Sequence, residues 1–352
     1  MAIDSTSGKS RIDWVDYAKG ICIVAVVGMY ATGYVEQTMK AQGWMHYFVD
    51  FAQPFRMPDF FLISGLFLSR VLDRPWRSYL DTKVVHFFYF YALWVTIKYL
   101  AVGSPEPSHE PGGIILDYLS LYVQPHGPLW FIYMLPLFFV TVRLVRSFPV
   151  PLVLAAAILL KIADIDTGWK MIDRFGMYFV FCYAGYAFAP WVFRMVDWAR
   201  SHSRATLFLL AGWFASNLAL VSLGVTFQPW VHLLTGFAGA AAIMLLSVML
   251  TRLPWMDWLR YLGEHSIVVY LAFVVPLLIM RKLIANVTLH IDPGTVAAVV
   301  IFLSILGAMI LYWAVRNTPF RFLFERPAWL KIYRPSRQTM EAGFKQGSES
   351  VH

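Results

Sequence analysis

Charge is scarce in this sequence. Lys, Arg, Asp and Glu make up 14% of its 352 residues, against about 25% in a soluble domain. With 59% of the chain hydrophobic and a mean hydropathy of +0.59, a water-soluble fold could not hide the apolar surface, so lipid must be the solvent for most of it. Cysteine is limited to Cys22 and Cys182, both inside apolar runs, which excludes a disulfide scaffold. Proline and glycine are ordinary in number, which excludes a collagen-like or disordered chain. No Walker loop, HExxH helix, GxSxG elbow or dinucleotide fingerprint occurs. No Cys/His set has metal-ligand spacing either, so no metal is expected. An internal repeat and paired broken helices are also missing, which argues against a transporter or lipid-linked-sugar flippase.

What is present is a series of apolar runs. Ten are long enough to count as candidate membrane crossings: 18–36, 46–70, 84–102, 128–146, 149–165, 175–195, 205–225, 231–251, 261–281 and 295–315. They lack the period-2 alternation of barrel strands, so the fold class is all-α: a polytopic membrane protein with about ten transmembrane helices. A single transmembrane domain over 1–340 is expected, followed by a polar tail at 341–352. The fifth run is the shortest and ends in Lys161 and Asp164. Residues 114–124 are apolar but too short to span, as in a re-entrant or interfacial helix. The first run follows basic residues as a signal peptide would. No small-residue cleavage site follows it, and it holds Tyr30 and Tyr34, so it reads as a retained helix.

Basic residues set the expected orientation. With the N-terminus inside, 21 Lys and Arg fall on inner segments and seven on or near outer ones, which puts both termini in the cytoplasm. The net charge of +8 is then topological and needs no nucleic-acid partner.

Ionisable groups within apolar runs cost a few kcal/mol each on insertion scales and are functional candidates. Lys19 and Tyr30 are 11 residues apart, which puts them on one helix face about 16 Å apart. The plainer alternative is that Lys19 snorkels and Tyr30 packs. The second run holds Arg56-Met-Pro-Asp59, which places a cation, a backbone break at Pro58 and a carboxylate at mid-depth. This favours a polar cavity over a simple Arg56–Asp59 pair. Ser64-Gly65 allows a second helix to approach closely. Next comes Arg74-Pro-Trp76-Arg77, where two arginines beside a ring suit a phosphorylated ligand, although topology alone also puts arginines in such loops. His126-Gly-Pro128-Leu-Trp130 opens the fourth run, with Trp130 able to anchor an interface. Glu264-His265-Ser266 opens the ninth, as a helix-start cluster would.

Together these stretches resemble the integral-membrane acyltransferase family 3, the sugar and polysaccharide O-acetyltransferases, and within it the fucose 4-O-acetylase-like branch. The residues that carry the resemblance are RIDWVDYAKGICIVAVV (11–27), FRMPDFFLISGLFLSR (55–70), RPWR (74–77), LWFIY (129–133), YLGEHSIVVYLAF (261–273) and FLFERPAW (322–329). The resemblance implies ten helices in a bacterial inner membrane, acetyl-CoA as acyl donor from the cytoplasm, and a glycan or lipid-linked sugar as acceptor. It implies Lys19 as the basic residue of helix one, Arg74 and Arg77 as the coenzyme-holding loop with Trp76 between them, and Ser64-Gly65 as site lining. Ten residues after that basic position the family carries a histidine thought to be catalytic; around that position this chain has Tyr30, flanked by Met29 and Ala31. Some members carry another histidine where this chain has Phe273.

Imidazole, with a pKa near 6.5, exchanges protons at neutral pH, whereas a phenol near 10 stays protonated. Three accounts are open. Tyr30 acts as acid or orienting donor while Asp59 or His126 takes the proton; the chain binds acyl-CoA or glycan without turnover; or the base lies elsewhere. The expected intramembrane site is Lys19, Tyr30, Arg56, Asp59 and Ser64, with Arg74, Trp76 and Arg77 on the CoA phosphates and His126 and Trp130 near the acceptor.

Overall fold

The computed structural model describes residues 12–102, 113–125, 127–285 and 291–332; His126 and the tail at 341–352 lie outside the described residues. Among those described, all regular structure is helical. The order is α1 (Asp13–Met39), α2 (Met45–Ala52), α3 (Arg56–Leu66), then α4 (Trp76–Leu80), which runs through a π turn (Asp81–Val85) into α5 (His86–Val102). There follow α6 (Gly113–Val123), α7 (Trp130–Val145), α8 (Val150–Ile162), α9 (Lys170–Ala187), α10 (Ala189–Ser201), α11 (Ser203–Ser222) and α12 (Pro229–Leu250). The chain continues through α13 (Asp257–Glu264), α14 (Ser266–Ala272), α15 (Val274–Ala285) and α16 (Pro293–Val315), and the described residues end in short 3-10 turns.

Among the described residues, five helices are long and apolar enough to cross a membrane: α1, the α4–α5 unit, α11, α12 and α16. Counting the bent pairs α9–α10 (73°) and α14–α15 (42°) as one crossing each makes seven. The other three of the ten expected runs are shorter or broken. The fourth and fifth are helices of 16 and 13 residues. The second is divided at Gln53–Phe55 into α2 and α3. That division lies at Pro54 and not at Pro58, where the sequence reading placed it. Pro58 sits in the first turn of α3, where a missing N–H costs nothing because no intrahelical partner exists for it. The short apolar segment expected near 114–124 is the helix α6.

The outer face carries bare hydrocarbon. On α11, Leu207, Phe208 and Phe214 are exposed, and only lipid makes that arrangement cheap. The chain is a multi-pass membrane protein.

Apolar surface gives little drive for helix association inside lipid, so close backbone approach does the work instead. Gly65 of α3 lies on the carbonyl of Cys182 in α9, while Gly185 of α9 lies on the carbonyl of Leu62 in α3. The same reciprocal contact joins α1 to α13, with Gly20 on Leu259 and Gly263 on Asp16. Both crossings leave no room for a Cβ. α1 is the central helix, packed against α3, α12, α13, α15 and α16. Aromatic side chains fill the space between α3, α7 and α9, where Phe61 sits within 4.7–5.9 Å of Phe131, Phe138, Tyr178 and Trp130.

Candidate functional site

Three cavities lie in series along α1, each sharing wall residues with the next. The first, of about 510 Å³, is lined by Asp16 and Lys19 of α1, Arg70 and Arg74 of the segment after α3, Lys83 of the π turn and Glu264 of α13. Four cations face two carboxylates there. Lys19 is 3.6 Å from Asp16, and Arg70 lies over the rings of Phe67 and Phe193. The wall is fixed from the side by α7. The Arg143 guanidinium donates to the Arg74 carbonyl at 2.6 Å and lies over Trp76 at 4.1 Å and Tyr79 at 4.4 Å. Arg146 donates to the Leu72 carbonyl at 3.1 Å.

The second cavity, of about 250 Å³, shares Lys19 and Glu264 with the first. Its walls are mostly apolar: Phe60, Ile63, Phe87, Phe131, Ile132, Leu135 and Ile267, with Ser64, Ser266 and Tyr270 as the other polar groups. The Ser64 hydroxyl faces this space but donates to its own helix, at 2.7 Å from the Phe60 carbonyl. An apolar space of this kind suits a chain with few charges.

The third cavity, of about 270 Å³, shares Tyr270 with the second and is lined by Tyr30, Arg56, Trp130, Arg174 and Tyr178 together with Met29, Met57 and Met177. Arg174 and Arg56 are the charged neighbours of the Tyr30 hydroxyl. Arg174 lies over the Trp130 ring at 4.6 Å and donates to the Pro125 carbonyl at 2.9 Å. Arg56 donates weakly to the Val49 carbonyl at 3.5 Å and reaches the Met29 sulfur at 2.6 Å, while its buried Nε has no partner. Tyr270 is held by donating its hydroxyl to the Pro128 carbonyl. No histidine lines any of the three cavities among the described residues. The rings of Tyr30 and Phe273 are 5.7 Å apart. Phe273 lies at the break between α14 and α15.

The structure therefore brings together Tyr30, Arg56 and Trp130 at one end of the series and Lys19 and Arg74 at the other, with Ser64 between them. It does not bring Asp59, Trp76 or Arg77 to the cavities, and His126 lies outside the described residues. Asp59 is fully buried away from them and accepts the Cys22 thiol at 2.8 Å on one oxygen; the other has no partner. Asp59 does not pair with Arg56 among the described contacts. Arg77 is exposed, and Trp76 gives a ring face to Arg143. Trp130 is 8% exposed, so it is a wall residue and not an interfacial anchor.

Sequence reasoning passed over Arg70, Lys83, Arg174, Tyr178 and Tyr270 as site residues, and read Glu264 as part of a helix-start cluster. Arg70 and Lys83 counted there as topological charge, and Arg174 as an outer flanking charge. Nothing in the local sequence singles out the two aromatics. Among buried histidines, His232 on α12 has an unpartnered Nδ1 and lies outside the three cavities.

Comparison with known proteins gives a family. Residues 12–313 match the family model described as "Acyltransferase domain", which covers all three cavities. The chain is 30% identical over 186 residues to the inner membrane protein YcfT of Escherichia coli (strain K12), covering 46% of this chain and 52% of YcfT. The chain thus spans about half the length of the curated relative it matches. No solved structure matches. On the strength of a match that runs from the start of α1 into the last turn of α16, the chain belongs to the acyltransferase-3 family of membrane proteins.

Proposed function

We propose that this protein is an inner-membrane O-acyltransferase that moves an acyl group, most simply acetyl, from cytoplasmic acyl-CoA to a hydroxyl of a cell-envelope or exported glycan. The observation that carries the reading is the order of the cavities: a cation-rich space, an apolar passage, then a polar space around Tyr30. Lys19, Arg70, Arg74 and Lys83 hold the coenzyme phosphates at the cytoplasmic end. The passage lined by Phe60, Phe87 and Phe131 takes the pantetheine arm, over the ~16 Å of helix rise between Lys19 and Tyr30. At the far end Tyr30 donates a hydrogen bond to the thioester carbonyl. The acceptor oxygen bonds to the carbonyl carbon, the carbon–sulfur bond breaks, and the hydroxyl proton ends on the departing CoA sulfur. Trp130 and Tyr178 flank the acceptor. The ten-crossing arrangement with both termini in the cytoplasm belongs to this reading, because it turns the cations of the first cavity toward the CoA pool. The inner-membrane placement is taken from the name of the relative YcfT.

A second reading has one specific observation in its favour. The rings of Tyr30 and Phe273, neither of which exchanges protons at neutral pH, lie against each other, and no histidine lines the cavity among the described residues. A chain of this kind binds the same ligands without turnover, as a partner in glycan assembly.

Transfer of label from radioactive acetyl-CoA to envelope glycans separates the two. If the enzyme reading holds, wild type labels glycan, and Tyr30→Phe loses about 10²-fold or more, the range for a positioned acid or base. Arg74→Ala then raises the KM for acetyl-CoA by roughly 10- to 100-fold, the equivalent of one charged hydrogen bond. No labelling by wild type, with activity appearing in Tyr30→His, refutes the enzyme reading and establishes the second.

A further inference from the structure

The third cavity has an imbalance of charge that its wall does not resolve. Arg56 and Arg174 both line it, and no Asp or Glu does among the described residues. Neither arginine takes part in an ion pair among the described contacts. A guanidinium stays charged under all working conditions, so two full positive charges stand at the wall of one cavity. The carboxylate of Asp50 on α2 acts on Arg56 from outside the cavity wall but forms no ion pair with it among the described contacts. Charge held in a cavity with so little compensation is costly, and natural sites offset it with an anion.

The donor geometry points the same way. Arg56 has five N–H donors and spends them poorly: one on a thioether, which is a weak acceptor, one on a carbonyl at 3.5 Å, while Nε has no partner. Arg174 spends one donor on Pro125 and rests its face on Trp130, which leaves the rest of its fork available to the cavity. Forks of this kind match the two oxygens of a carboxylate or phosphate. The rings of Trp130 and Tyr178, 5.3 Å apart and tilted by 30°, pack on each other beside the charges and give the cavity an apolar side.

A transient oxyanion at the thioester does not account for both charges. It carries one negative charge, exists only at the moment of transfer, and already has the Tyr30 hydroxyl as a donor. The imbalance is permanent, so the partner should be permanent too.

We infer that the acceptor bound at Tyr30 carries a fixed oxyanion group, a carboxylate or a phosphate attached to the sugar, and that Arg56 and Arg174 recognise it. The inference rests on the reading of this cavity as the acceptor end of an acyltransferase and names the class of acceptor.

The test measures equilibrium binding to the full-length protein in phosphatidylcholine nanodiscs, so that no anionic lipid competes. The probes are glucuronate, glucose 6-phosphate and glucose, with CoA measured separately. Expected are binding of at least one anionic sugar, binding of glucose at least roughly tenfold weaker, and attenuation of the anion's affinity by added salt. Arg174→Gln should weaken the anion by roughly 10- to 100-fold and leave CoA unchanged. If that variant does not fold, Arg174→Lys keeps the charge but loses the fork and should fall between wild type and no binding. Preference for glucuronate assigns a uronate-type carboxylate; preference for glucose 6-phosphate assigns a phosphate-bearing acceptor. The inference is overturned if glucose binds as tightly as the anions, if neither anion binds, or if the Arg174 variants bind anions like wild type. Failure of CoA to bind while the anions do would instead remove the acyltransferase reading and leave the anion site standing.

Discussion

The crossing of α3 and α9 gives the sharpest mechanical prediction. A methyl group at Gly65 would meet the backbone carbonyl of Cys182, and its nearest atoms are all backbone. A flexible side chain could turn aside, but a helix backbone cannot, so Gly65→Ala must push α3 from α9. Overpacking of this kind costs about 1–3 kcal/mol. With an unfolding entropy of about 2.1 cal/mol/K per residue, that corresponds to a midpoint lowered by ~1–4 °C in a chain of 352 residues. Gly33 of α1 is the control, because nothing lies within 4 Å of a Cβ there. In a helix interior, exchanging Gly for Ala is favourable by about 0.5–1 kcal/mol, so Gly33→Ala should melt at or above wild type. The assay is thermal unfolding of the detergent-solubilised protein, followed by tryptophan fluorescence. Gly65→Ala combined with Gly185→Ala should cost less than the sum of the two, because helices already separated accommodate the second methyl more easily. If Gly65→Ala melts no lower than Gly33→Ala, the close-approach account of this crossing is wrong.

Three further outcomes follow from other contacts. Arg326 and Asp81 form an ion pair at 2.8 Å, with only 6% and 5% of their side chains exposed. Arg326→Gln or Asp81→Asn alone should each cost about 3–5 kcal/mol, and the double variant less than their sum, in a double-mutant cycle read by thermal melting. The Cys22 thiol is the described hydrogen-bond donor to Asp59. Cys22→Ala should therefore be less stable than Cys22→Ser by about 1–3 kcal/mol, since only the serine keeps a donor. Arg143→Lys keeps the charge but loses the flat stack on Trp76 and Tyr79. It should raise the KM for acetyl-CoA with little change in kcat, and an equal fall in kcat would contradict a role confined to holding the Arg74 segment.

Much of the molecule could be read along the chain. Each of the ten apolar runs contains helix, and the α1 stripe from Lys19 to Tyr30 does run along the cavities. Hydropathy reports composition, however, and not whether a run stays straight. α2 and α3 part at Gln53–Phe55, and α7 and α8 are short, because local turns and the packing around them set the ends. The site was legible where its residues are close in sequence and conspicuous, as Arg56 is. Arg174 and Tyr270 come from helices more than a hundred residues distant from Tyr30, and a charge at a helix start looks the same whether it meets water or turns into a cavity. Asp59 shows the opposite error. Its chemistry drew attention, yet its neighbour across the helix crossing is a thiol, and only the packing of α1 on α3 reveals that.

The two glycine-paired crossings also determine what can move. α1 with α13, and α3 with α9, are each joined backbone to backbone, so neither pair can open without breaking its own contact. The middle cavity has Lys19 and Glu264 from the first pair on one wall and Phe60 and Ser64 from the second on another. These pairs behave as two stiff jaws. Any widening of the passage must come from one jaw swinging against the other, or from the wall built by α5, α7 and α14, where side chains and not backbones form the contact. A bulky molecule seeking the interior from the lipid side would find its door in that third wall.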